Sequence, residues 1–341
     1  MSDVPAISVV VATLNRCQIL KVTLEKLASQ NLSEELEVLV VDDGSADGTS
    51  EMVDAITCSL PYRLRYFRHE NRGPGYSQNR GIKESESDIV LLMADDIWAG
   101  PELLSQHLKT HSEQTGDNFA VLGKVVQSPD LPKTVIHKYW DPFRYGRFDG
   151  KSELDGINFM ACNISVKKSY LMKHGMYREA KGAAHEDIEL GYRLREQGLR
   201  IIYNEDALAY HHHPETLTNA CRRAYERGCN FHMLSDNMPK SFAFPLYNIC
   251  TMRAGWRAFL RMLPREIPRK LVFNRWTVGV FWLPILELAE TNRLAALFAN
   301  QLTYRGTIYY HQRLGYRDHR RESSSLQGSG ISLSGTFKER Q

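Results

Sequence analysis

The sequence lacks both a set of closely spaced cysteines and an excess of charge of either sign. Its six cysteines lie far apart and include no C-x-x-C pair, so their spacing matches neither a disulfide framework nor a zinc site. The 43 basic and 40 acidic residues leave a formal net charge of only +3. This near balance argues against nucleic acid as the main partner. Both observations favour an ordinary globular protein with reduced thiols.

The sequence also lacks a long apolar run. The amino terminus has no basic start followed by an apolar stretch, so we expect that the protein is not exported. We expect it in the cytoplasm, where it could also lie at the inner face of the membrane. The apolar segment 278–286 is far below the roughly 20 residues that span a bilayer. Its simplest interpretation is a helix packed on the preceding domain. The alternative is that this segment makes a weak, salt-sensitive contact with a membrane, because basic residues precede it. They are Arg265, Arg269, Lys270 and Arg275.

What the sequence does contain is an alternation of strand-like and helix-like segments. The apolar runs 7–12, 36–41 and 89–93 have the pattern of strands buried on both faces of a parallel sheet. A further strand is predicted at 64–67, and segments with apolar residues at helical spacing lie between the strands. Beyond residue 220 this alternation stops, and the sequence becomes mainly helical.

Three regions follow from this pattern. Residues 1–220 are predicted to form an α/β domain, residues 221–320 a mainly helical module, and residues 321–341 a disordered tail. The tail is predicted to be disordered because it is rich in serine and glycine and has too few large apolar groups to pack into a core.

Acidic pairs follow two of the predicted strands. Asp42 and Asp43 come after the second strand, and Asp95 and Asp96 after the fourth. Ligands of open α/β sheets bind at the carboxyl ends of the strands, so both pairs are expected at one edge of the sheet. Adjacent carboxylates there can hold a hard divalent cation that binds phosphate oxygens. A solvated turn is the alternative, and the place directly after a buried strand weighs against it.

Two further polar groups lie near the end of the first domain. Glu186 and Asp187 open a predicted helix, where a carboxylate either meets the helix dipole or faces a cleft and takes a proton from a hydroxyl. A histidine triplet follows at 211–213. On a strand, His211 and His213 would share one face, so only these two could serve together in a metal site begun by carboxylates. A surface strand end is the alternative for the triplet.

Six short motifs run through the first 230 residues in a fixed order. They are V-V-V-A-T-L-N-R at 9–16, V-D-D-G-S at 41–45, N-R-G-P-G-Y-S-Q-N-R-G at 71–81, A-D-D at 94–96, H-E-D-I-E-L-G-Y-R-L at 185–194 and A-L-A-Y-H-H-H at 207–213. In this order they resemble the motifs of family 2 glycosyltransferases over residues 5–230. The resemblance implies the GT-A fold, a nucleotide-sugar-binding α/β fold with a Rossmann-like mixed sheet flanked by helices, here with a mainly helical carboxy-terminal extension.

The same resemblance implies roles for single residues. Asp187 would be the catalytic base, with Glu186 beside it. Asp96 and His211 would hold a divalent cation, Mg²⁺ or Mn²⁺, at the donor diphosphate, and the choice between His211 and His213 stays open. The donor nucleotide would contact five residues, which are Thr13, Asn15, Asp43, Asn79 and Asp95. Among them, Asp43 would accept a hydrogen bond from the base, and Asp95 would approach the ribose or the metal.

The implied reaction is the transfer of a sugar, with inversion, from a nucleoside diphosphate to an acceptor hydroxyl. UDP-sugars are the expected donors, and the acceptor would be a glycan, a lipid-linked compound or another hydroxyl compound in polysaccharide, glycolipid or glycoconjugate assembly. Many family members have a D-x-D motif, and this chain has Ala94 in place of its first aspartate. Metal binding is therefore expected to depend on Asp96 and His211.

Two other functions are compatible with such a fold. A nucleotidyltransferase is disfavoured because the segment 13–16 contains no glycine, whereas those enzymes have a glycine-rich loop after the first strand. A non-catalytic nucleotide-sugar-binding protein is disfavoured because Asp96 and Asp187 are both present.

Overall fold

A computed structural model describes residues 4–179, 184–246 and 255–329. The chain divides into two compact units. The first, which we call the sheet unit, comprises Met1–Pro132 and Pro142–Pro214, and the second, the helical unit, comprises Lys133–Asp141 and Glu215–Gln341. The division at 214/215 lies close to the predicted boundary at 220. The short segment 133–141, however, belongs to the helical unit, although the chain around it belongs to the sheet unit.

The first half of the sheet unit is a run of parallel strands joined by helices. The strands are β1 (Ile7–Thr13), β2 (Leu36–Asp42), β3 (Arg63–Arg68) and β4 (Ile89–Ala94), in the spatial order β3-β2-β1-β4, and the helices are α1 (Cys17–Leu27), α2 (Thr49–Thr57) and α3 (Pro74–Glu84). The residues of β2 are all buried, including Glu37 and Asp42, as expected for a central strand covered on both faces. All four strands were predicted from the sequence, and the structure confirms them.

The second half of the sheet unit turns the sheet into a mixed one. Its strands are β5 (Ile97–Ala99), β6 (Phe119–Gln127), β7 (Glu153–Leu154), β8 (Asn163–Lys167) and β9 (Arg200–His211). Strand β8 pairs antiparallel with both β4 and β6, β6 pairs parallel with β9, and β5 and β7 pair antiparallel with β9. The intervening helices are α4 (Leu103–Glu113), α5 (Val135–Tyr139), α6 (Lys168–His174) and α7 (Glu186–Glu196), of which α5 belongs to the helical unit.

A chain of buried polar groups joins α4 to β8. Nε2 of His107 lies 2.9 Å from Oδ1 of Asn163, an acceptor, so this nitrogen carries the proton. Nδ1 of His107 therefore accepts from the hydroxyl of Ser165 at 2.8 Å, and that oxygen in turn accepts from Nε2 of His111 at 2.9 Å. This directed chain requires an unprotonated Nδ1 on His107, whereas Nδ1 of His111 is buried without a hydrogen-bond partner among the described residues.

The two buried histidines predict a loss of stability in acid. Burial lowers the pKa of His107 to about 4 and that of His111 to about 3. The unfolded chain, with histidine pKa values of about 6.5, binds more protons below that pH than the folded protein does. In urea unfolding, the contribution of these two histidines to the free energy of unfolding should therefore be constant above about pH 7.5 and fall by up to about 1.4 kcal/mol per pH unit and histidine below pH 6.5, while the raised pKa values of Asp95 and Asp187 add slopes of the opposite sign. A double variant, His107→Asn with His111→Asn, should lose most of this slope between pH 6.5 and 5, and an unchanged slope would contradict the assignment.

The helical unit is built around two long helices. Its elements after α5 are α8 (Leu217–Cys229), α9 (His232–Ser235), α10 (Lys240–Leu246), α11 (Trp256–Val272), α12 (Arg275–Thr277), α13 (Leu283–Leu288) and α14 (Gln301–Ser329). Helices α8 and α14 approach so closely that a Cβ at Gly228 would overlap the carbonyl oxygen of Gln312, and one at Gly315 that of Tyr225. The core of the unit includes Ile136 and Trp140 from the segment 133–141.

Helix α14 continues to Ser329, so its last residues lie in the segment predicted to be a disordered tail. The rest of that segment, 330–341, lies outside the described residues. Within the described ranges, no helix combines the length and the apolar character that crossing a bilayer requires.

Candidate active site

The carboxyl ends of β1 and β4 lie side by side at one edge of the sheet. Thr13, the last residue of β1, donates a hydrogen bond of 2.8 Å from its hydroxyl to Oδ2 of Asp95, which follows β4. The backbone carbonyl of Asp95 accepts a second hydrogen bond, of 2.6 Å, from the hydroxyl of Thr23. Two of the five residues predicted to contact the nucleotide therefore form a fixed pair, while their role in nucleotide binding stays a prediction.

Arg16 belongs to the same edge, and no role was predicted for it. Its Nη1 donates to Oδ1 of Asp95 at 2.6 Å, and its Nη2 donates to Oδ2 of Asp96 at 2.8 Å. One planar guanidinium thus joins both carboxylates, a geometry for which arginine is suited. The sequence position of Arg16 could have indicated this pairing. Arg16 lies in the loop after the first strand, where a cation can reach carboxylates at the end of a neighbouring strand.

The two adjacent carboxylates have opposite pKa shifts. Burial raises the pKa of Asp95 to about 6, against the opposing charge of Arg16. Burial acts in the same direction on Asp96, but His211 and Arg16 hold the pKa of this carboxyl well below its usual range. Asp96 is therefore the stronger anion of the pair.

Asp96, His211 and His213 bring three metal-ligating atoms within 4.8 Å of one another. Strand pairing explains this, because Ile97 on β5 lies opposite His211 on β9, and the N–H of His212 donates to the carbonyl oxygen of Asp96 at 2.8 Å. Nε2 of His211 lies 3.4 Å, and Nδ1 of His213 lies 3.7 Å, from Oδ2 of Asp96. One carboxylate and two imidazoles form a donor set that suits a divalent cation, and both histidines left open by the sequence contribute to it.

Asp43 lies at the carboxyl end of β2 and holds the loop that follows β3. Its two oxygens accept hydrogen bonds from the backbone N–H groups of Arg72 at 2.7 Å and Gly73 at 3.0 Å. An ionised carboxylate offers about four acceptor positions, so acceptor capacity remains for a ligand. Next to it lies an open depression of about 450 Å³ whose lining residues are Gly44, Arg68, His69, Glu70 and Asn71.

Asn15 connects the loops that follow β1 and β2. Its Oδ1 accepts a hydrogen bond from the N–H of Ala46, and its own N–H donates to the hydroxyl of Ser45, both at 2.8 Å. The backbone of Asn15 has a φ of 53°, a conformation that asparagine tolerates better than most residues. The loop after β1 is therefore fixed in place, and contact of Asn15 with a nucleotide stays a prediction.

Asn79 on α3 binds a segment that lies far away in the sequence. Its Nδ2 donates to the carbonyl oxygen of Tyr177 at 2.8 Å, and its Oδ1 accepts from the N–H of the same residue at 2.9 Å. A Cβ at Gly75 would approach the carbonyl oxygen of Arg178 to 2.9 Å, so α3 and this segment pack backbone to backbone. The structure thus connects Asn79 to Tyr177, and whether Asn79 also contacts the nucleotide stays a prediction.

Tyr177 contacts Asp187, the predicted base, and was also missed from the sequence. Its hydroxyl donates to Oδ1 of Asp187 at 3.1 Å, and the N–H of Ala161 donates to Oδ2 at 2.9 Å. Burial and the charge of Glu186 nevertheless raise the pKa of Asp187 to about 7. A carboxylate with such a pKa can take up a proton near neutral pH, as a general base must. No sequence periodicity marks Tyr177, which lies in a loop.

The chain enters α7 through a strained turn. His185, buried at the helix start, has a φ of 81°, which is uncommon for a residue with a side chain. Glu186, the next residue, accepts a hydrogen bond of 2.8 Å from the N–H of Ala184, and burial raises its pKa. Glu186 is therefore turned toward the backbone before the helix, and its charge acts on Asp187 as a neighbour.

Cys162 directly precedes β8 and interacts electrostatically with both acidic groups of the site. Burial raises the pKa of its thiol to about 12, and the charges of Asp187 and Asp96 both add to the rise. Strand pairing sets Asn163 of β8 opposite Met93 of β4, and the N–H of Ala161, just before β8, donates to Asp187, so Asp187 lies at the same edge of the sheet as Asp96. The structure thus brings together the predicted base and the candidate metal site.

Comparison with known proteins agrees with this arrangement. Over 257 residues, 26% are identical to the uncharacterized glycosyltransferase YfnE of Bacillus subtilis, a match that covers 61% of this chain and 65% of that protein. The glucosyl-dolichyl phosphate glucuronosyltransferase of Haloferax volcanii is 29% identical over 223 residues, which cover 60% of this chain and 68% of that protein. The chain therefore spans less than two thirds of the length of the Bacillus protein.

A solved structure has the same fold. The mannosyltransferase PcManGT from Pyrobaculum calidifontis, in complex with GDP-Man and Mn²⁺, matches with a TM-score of 0.58 and 17% identity, over 92% of this chain and 88% of that one. This similarity confirms the predicted GT-A fold. Residues 8–175 match the sequence pattern of "Glycosyl transferase family 2". The resemblance to family 2 glycosyltransferases predicted from the six motifs is thereby confirmed over this part of the chain.

Proposed function

We propose that this protein transfers a sugar from a nucleoside diphosphate to an acceptor hydroxyl, with inversion at the anomeric carbon. The observation that carries the proposal is the setting of Asp187. Its carboxylate is held by two hydrogen bonds, has a raised pKa and lies at the edge of the sheet where β4 ends and Asp96 follows. A base beside a cation site suits a reaction in which one hydroxyl loses a proton while a diphosphate leaves.

The donor set of Asp96, His211 and His213 fits Mg²⁺ or Mn²⁺, which we propose as the cofactor. The relative from Pyrobaculum was solved with Mn²⁺ and GDP-Man, which supports this choice. A bound cation would supply positive charge beside the donor diphosphate. Asp96 carries the negative charge of the site, so it is the main ligand, and His211 and His213 complete the set.

The nucleotide of the donor is proposed to lie along the edge formed by β1, β2 and β4. Asp43 would accept a hydrogen bond from the base, beside the depression that follows β2. Asp95 would accept from a ribose hydroxyl, with Thr13 holding its carboxylate in place. Asn15 fixes the loop that would cover the nucleotide, and Asn79 would act through the Tyr177 segment that it binds.

The transfer follows from these positions. Asp187 takes the proton of the acceptor hydroxyl as its oxygen attacks the anomeric carbon of the sugar. The new carbon–oxygen bond forms as the bond from that carbon to the phosphate oxygen breaks, and the nucleoside diphosphate leaves with the bonding electrons. Tyr177 and the N–H of Ala161 keep the carboxylate of Asp187 pointed at the acceptor, so little reorganisation is needed during the step.

The acceptor is proposed to be a glycan or a lipid-linked compound, at the cytoplasmic side of a membrane. The name of the relative from Haloferax states that it acts on glucosyl-dolichyl phosphate, a lipid-linked sugar.

A donor screen with the purified protein tests the proposed function. UDP- and GDP-sugars are incubated with Mn²⁺ and with free or lipid-linked glycan acceptors, and the released nucleoside diphosphate and the new glycoside are measured together. Release that depends on an acceptor and yields a glycoside supports the proposal. Release of pyrophosphate in a parallel incubation with a nucleoside triphosphate and a sugar 1-phosphate would indicate a nucleotidyltransferase instead, and saturable donor binding without product would indicate a non-catalytic protein.

Arg16 is expected to compete with the cation for the site. Its Nη2 lies 2.8 Å from Oδ2 of Asp96 and 3.3 Å from Nδ1 of His213, so it engages two of the three proposed ligand atoms. Replacing Arg16 by glutamine should therefore tighten Mn²⁺ binding to the donor-free protein by about tenfold, or about 1.4 kcal/mol. Calorimetric titration measures this. Arg63→Gln is the matched control, because Arg63 pairs with Glu86 on the surface; equal affinity of both variants would exclude competition.

A further inference from the structure

Exposed large apolar side chains are concentrated in one part of the helical unit. Of the sixteen such side chains among the described residues, thirteen lie between residues 256 and 302. Trp276 is 77% exposed and Leu297 is 78% exposed, although the unit has a buried core of its own. Water-soluble proteins rarely leave so much apolar surface uncovered unless it binds something.

Helix α11 presents four of these side chains on one face. Trp256, Leu260, Ile267 and Leu271 are spaced by four, seven and four residues, which at 3.6 residues per turn places them within about 60° around the helix axis. All four are more than half exposed. The stripe therefore runs along the whole helix.

Basic residues lie on both sides of this stripe. At about 100° per residue, Arg257 and Arg261 lie on one flank of it and Lys270 on the other. Residues 256–282 contain six arginines and lysines and a single acidic residue, Glu266, whereas the whole chain is nearly balanced. An exposed apolar stripe between basic flanks is typical of helices that lie in the interface of a membrane.

The stripe continues into the segments that follow α11. The indole N–H of Trp282 donates to the carbonyl oxygen of Val272 at 2.9 Å, at the end of the helix. The rings of Trp282 and Phe281 lie 4.9 Å apart, and those of Phe281 and Phe298 lie 5.9 Å apart. We call the α11 stripe, its basic flanks, Trp276, Phe281 and Phe298 the apolar–basic face.

We propose that the apolar–basic face binds the surface of a bilayer that contains anionic phospholipid, with α11 lying in the plane of the interface. Charge complementarity decides in favour of this partner. In a contact between two copies, the same cations would be brought together with almost no carboxylates to neutralise them. Anionic headgroups neutralise them, and Trp and Phe side chains favour the headgroup level of a bilayer. The proposal does not depend on the proposed activity.

Vesicle binding by the full-length protein tests this directly. We expect co-sedimentation with vesicles of phosphatidylcholine and phosphatidylglycerol, a blue shift of tryptophan fluorescence as Trp256 and Trp276 leave water, and weaker binding at higher salt. Vesicles of phosphatidylcholine alone should bind at least tenfold more weakly. The triple variant Arg257→Gln, Arg261→Gln, Lys270→Gln should lose about a hundredfold in affinity for the anionic vesicles, at about 1 kcal/mol per charge near the surface.

The matched control removes the same charge from the sheet unit. Arg63 and Arg195 are exposed there, Arg200 is half-buried, and each forms an ion pair with a carboxylate. Their triple replacement by glutamine should leave vesicle binding within about twofold, which separates a local face from net charge. Equal losses in both triple variants, or no binding of the wild-type protein, would overturn the proposal. A concentration-dependent dimer that Trp276→Ser disrupts, without vesicle binding, would assign the face to a second copy.

Discussion

Replacing Asp187 by asparagine is expected to lower sugar transfer by about two to four powers of ten, the contribution of a positioned general base. The amide has the same shape and keeps an oxygen for Tyr177 or Ala161, so the fold and donor binding should persist. It cannot accept the proton of the acceptor. Steady-state kinetics with a saturating donor, together with a donor-binding titration, measure both effects. Asp206→Asn, an exposed carboxylate on β9, is the control, and near-normal transfer by Asp187→Asn would remove this residue from the mechanism.

The pH dependence of the same reaction gives a second, independent test of Asp187. A base must be ionised, so with a pKa raised to about 7 transfer should fall as the pH drops below neutrality. The hydroxyl of Tyr177 stabilises the ionised form by donating a hydrogen bond. Tyr177→Phe should therefore raise this pKa further and move the acidic limb of the kcat/KM profile to higher pH. A merely structural role of Tyr177 would lower activity without moving the limb.

Replacing Asp96 by alanine is expected to abolish metal-dependent donor binding and to lower transfer by about a thousandfold, because a metal ion contributes several kcal/mol of charge stabilisation. His211→Ala should weaken Mn²⁺ binding less, since His213 remains as a second imidazole ligand. Titration of Mn²⁺ followed by calorimetry measures both variants, with Asp206→Ala as the control. Thermal unfolding of Asp96→Ala checks the fold, since Arg16 loses one of its two carboxylate partners.

Chelation completes the test of the metal assignment. EDTA should stop transfer by the wild-type protein, and added Mn²⁺ or Mg²⁺ should restore it. If transfer by the wild-type protein is unchanged in EDTA, the roles proposed for Asp96, His211 and His213 fail together, while the base role of Asp187 would still stand on its own variants.

The sequence predicts the first half of the sheet unit well because burial on both faces leaves a distinct pattern. The runs at 7–12, 36–41 and 89–93 are apolar apart from Ser8 and Glu37, and β1, β2 and β4 occupy them. Strand β9 is harder to predict, since the polar residues 204–206 interrupt its apolar pattern. The structure continues it from Arg200 to His211, and this continuation is what brings the histidines to Asp96.

The sequence predicts those site residues whose place follows from their position at a strand end. It does not predict those whose place depends on contacts between side chains far apart in the sequence. Asp95 and Asp96 follow directly from the rule that ligands bind at strand ends. The pairing of Arg16 with both carboxylates, and that of Asn79 with Tyr177, joins residues about 80 and about 100 positions apart. Such contacts depend on how the helices and loops pack on the sheet, so no local sequence pattern predicts them.

The assignment of the segment 133–141 to the helical unit has a consequence for biosynthesis. This segment leaves the ribosome between two parts of the sheet unit, but the partners of Ile136 and Trp140 in the core are translated only after residue 214. Tyr304, whose ring lies 6.0 Å from that of Tyr139, follows it by roughly 8 to 30 seconds at 5–20 residues per second. All residues of the sheet unit can thus be translated before the residues that pack against α5 in the helical unit. Ribosomes stalled just beyond residue 214 should carry a nascent chain that proteases cut near residues 133–141, and full-length chains should resist cleavage there.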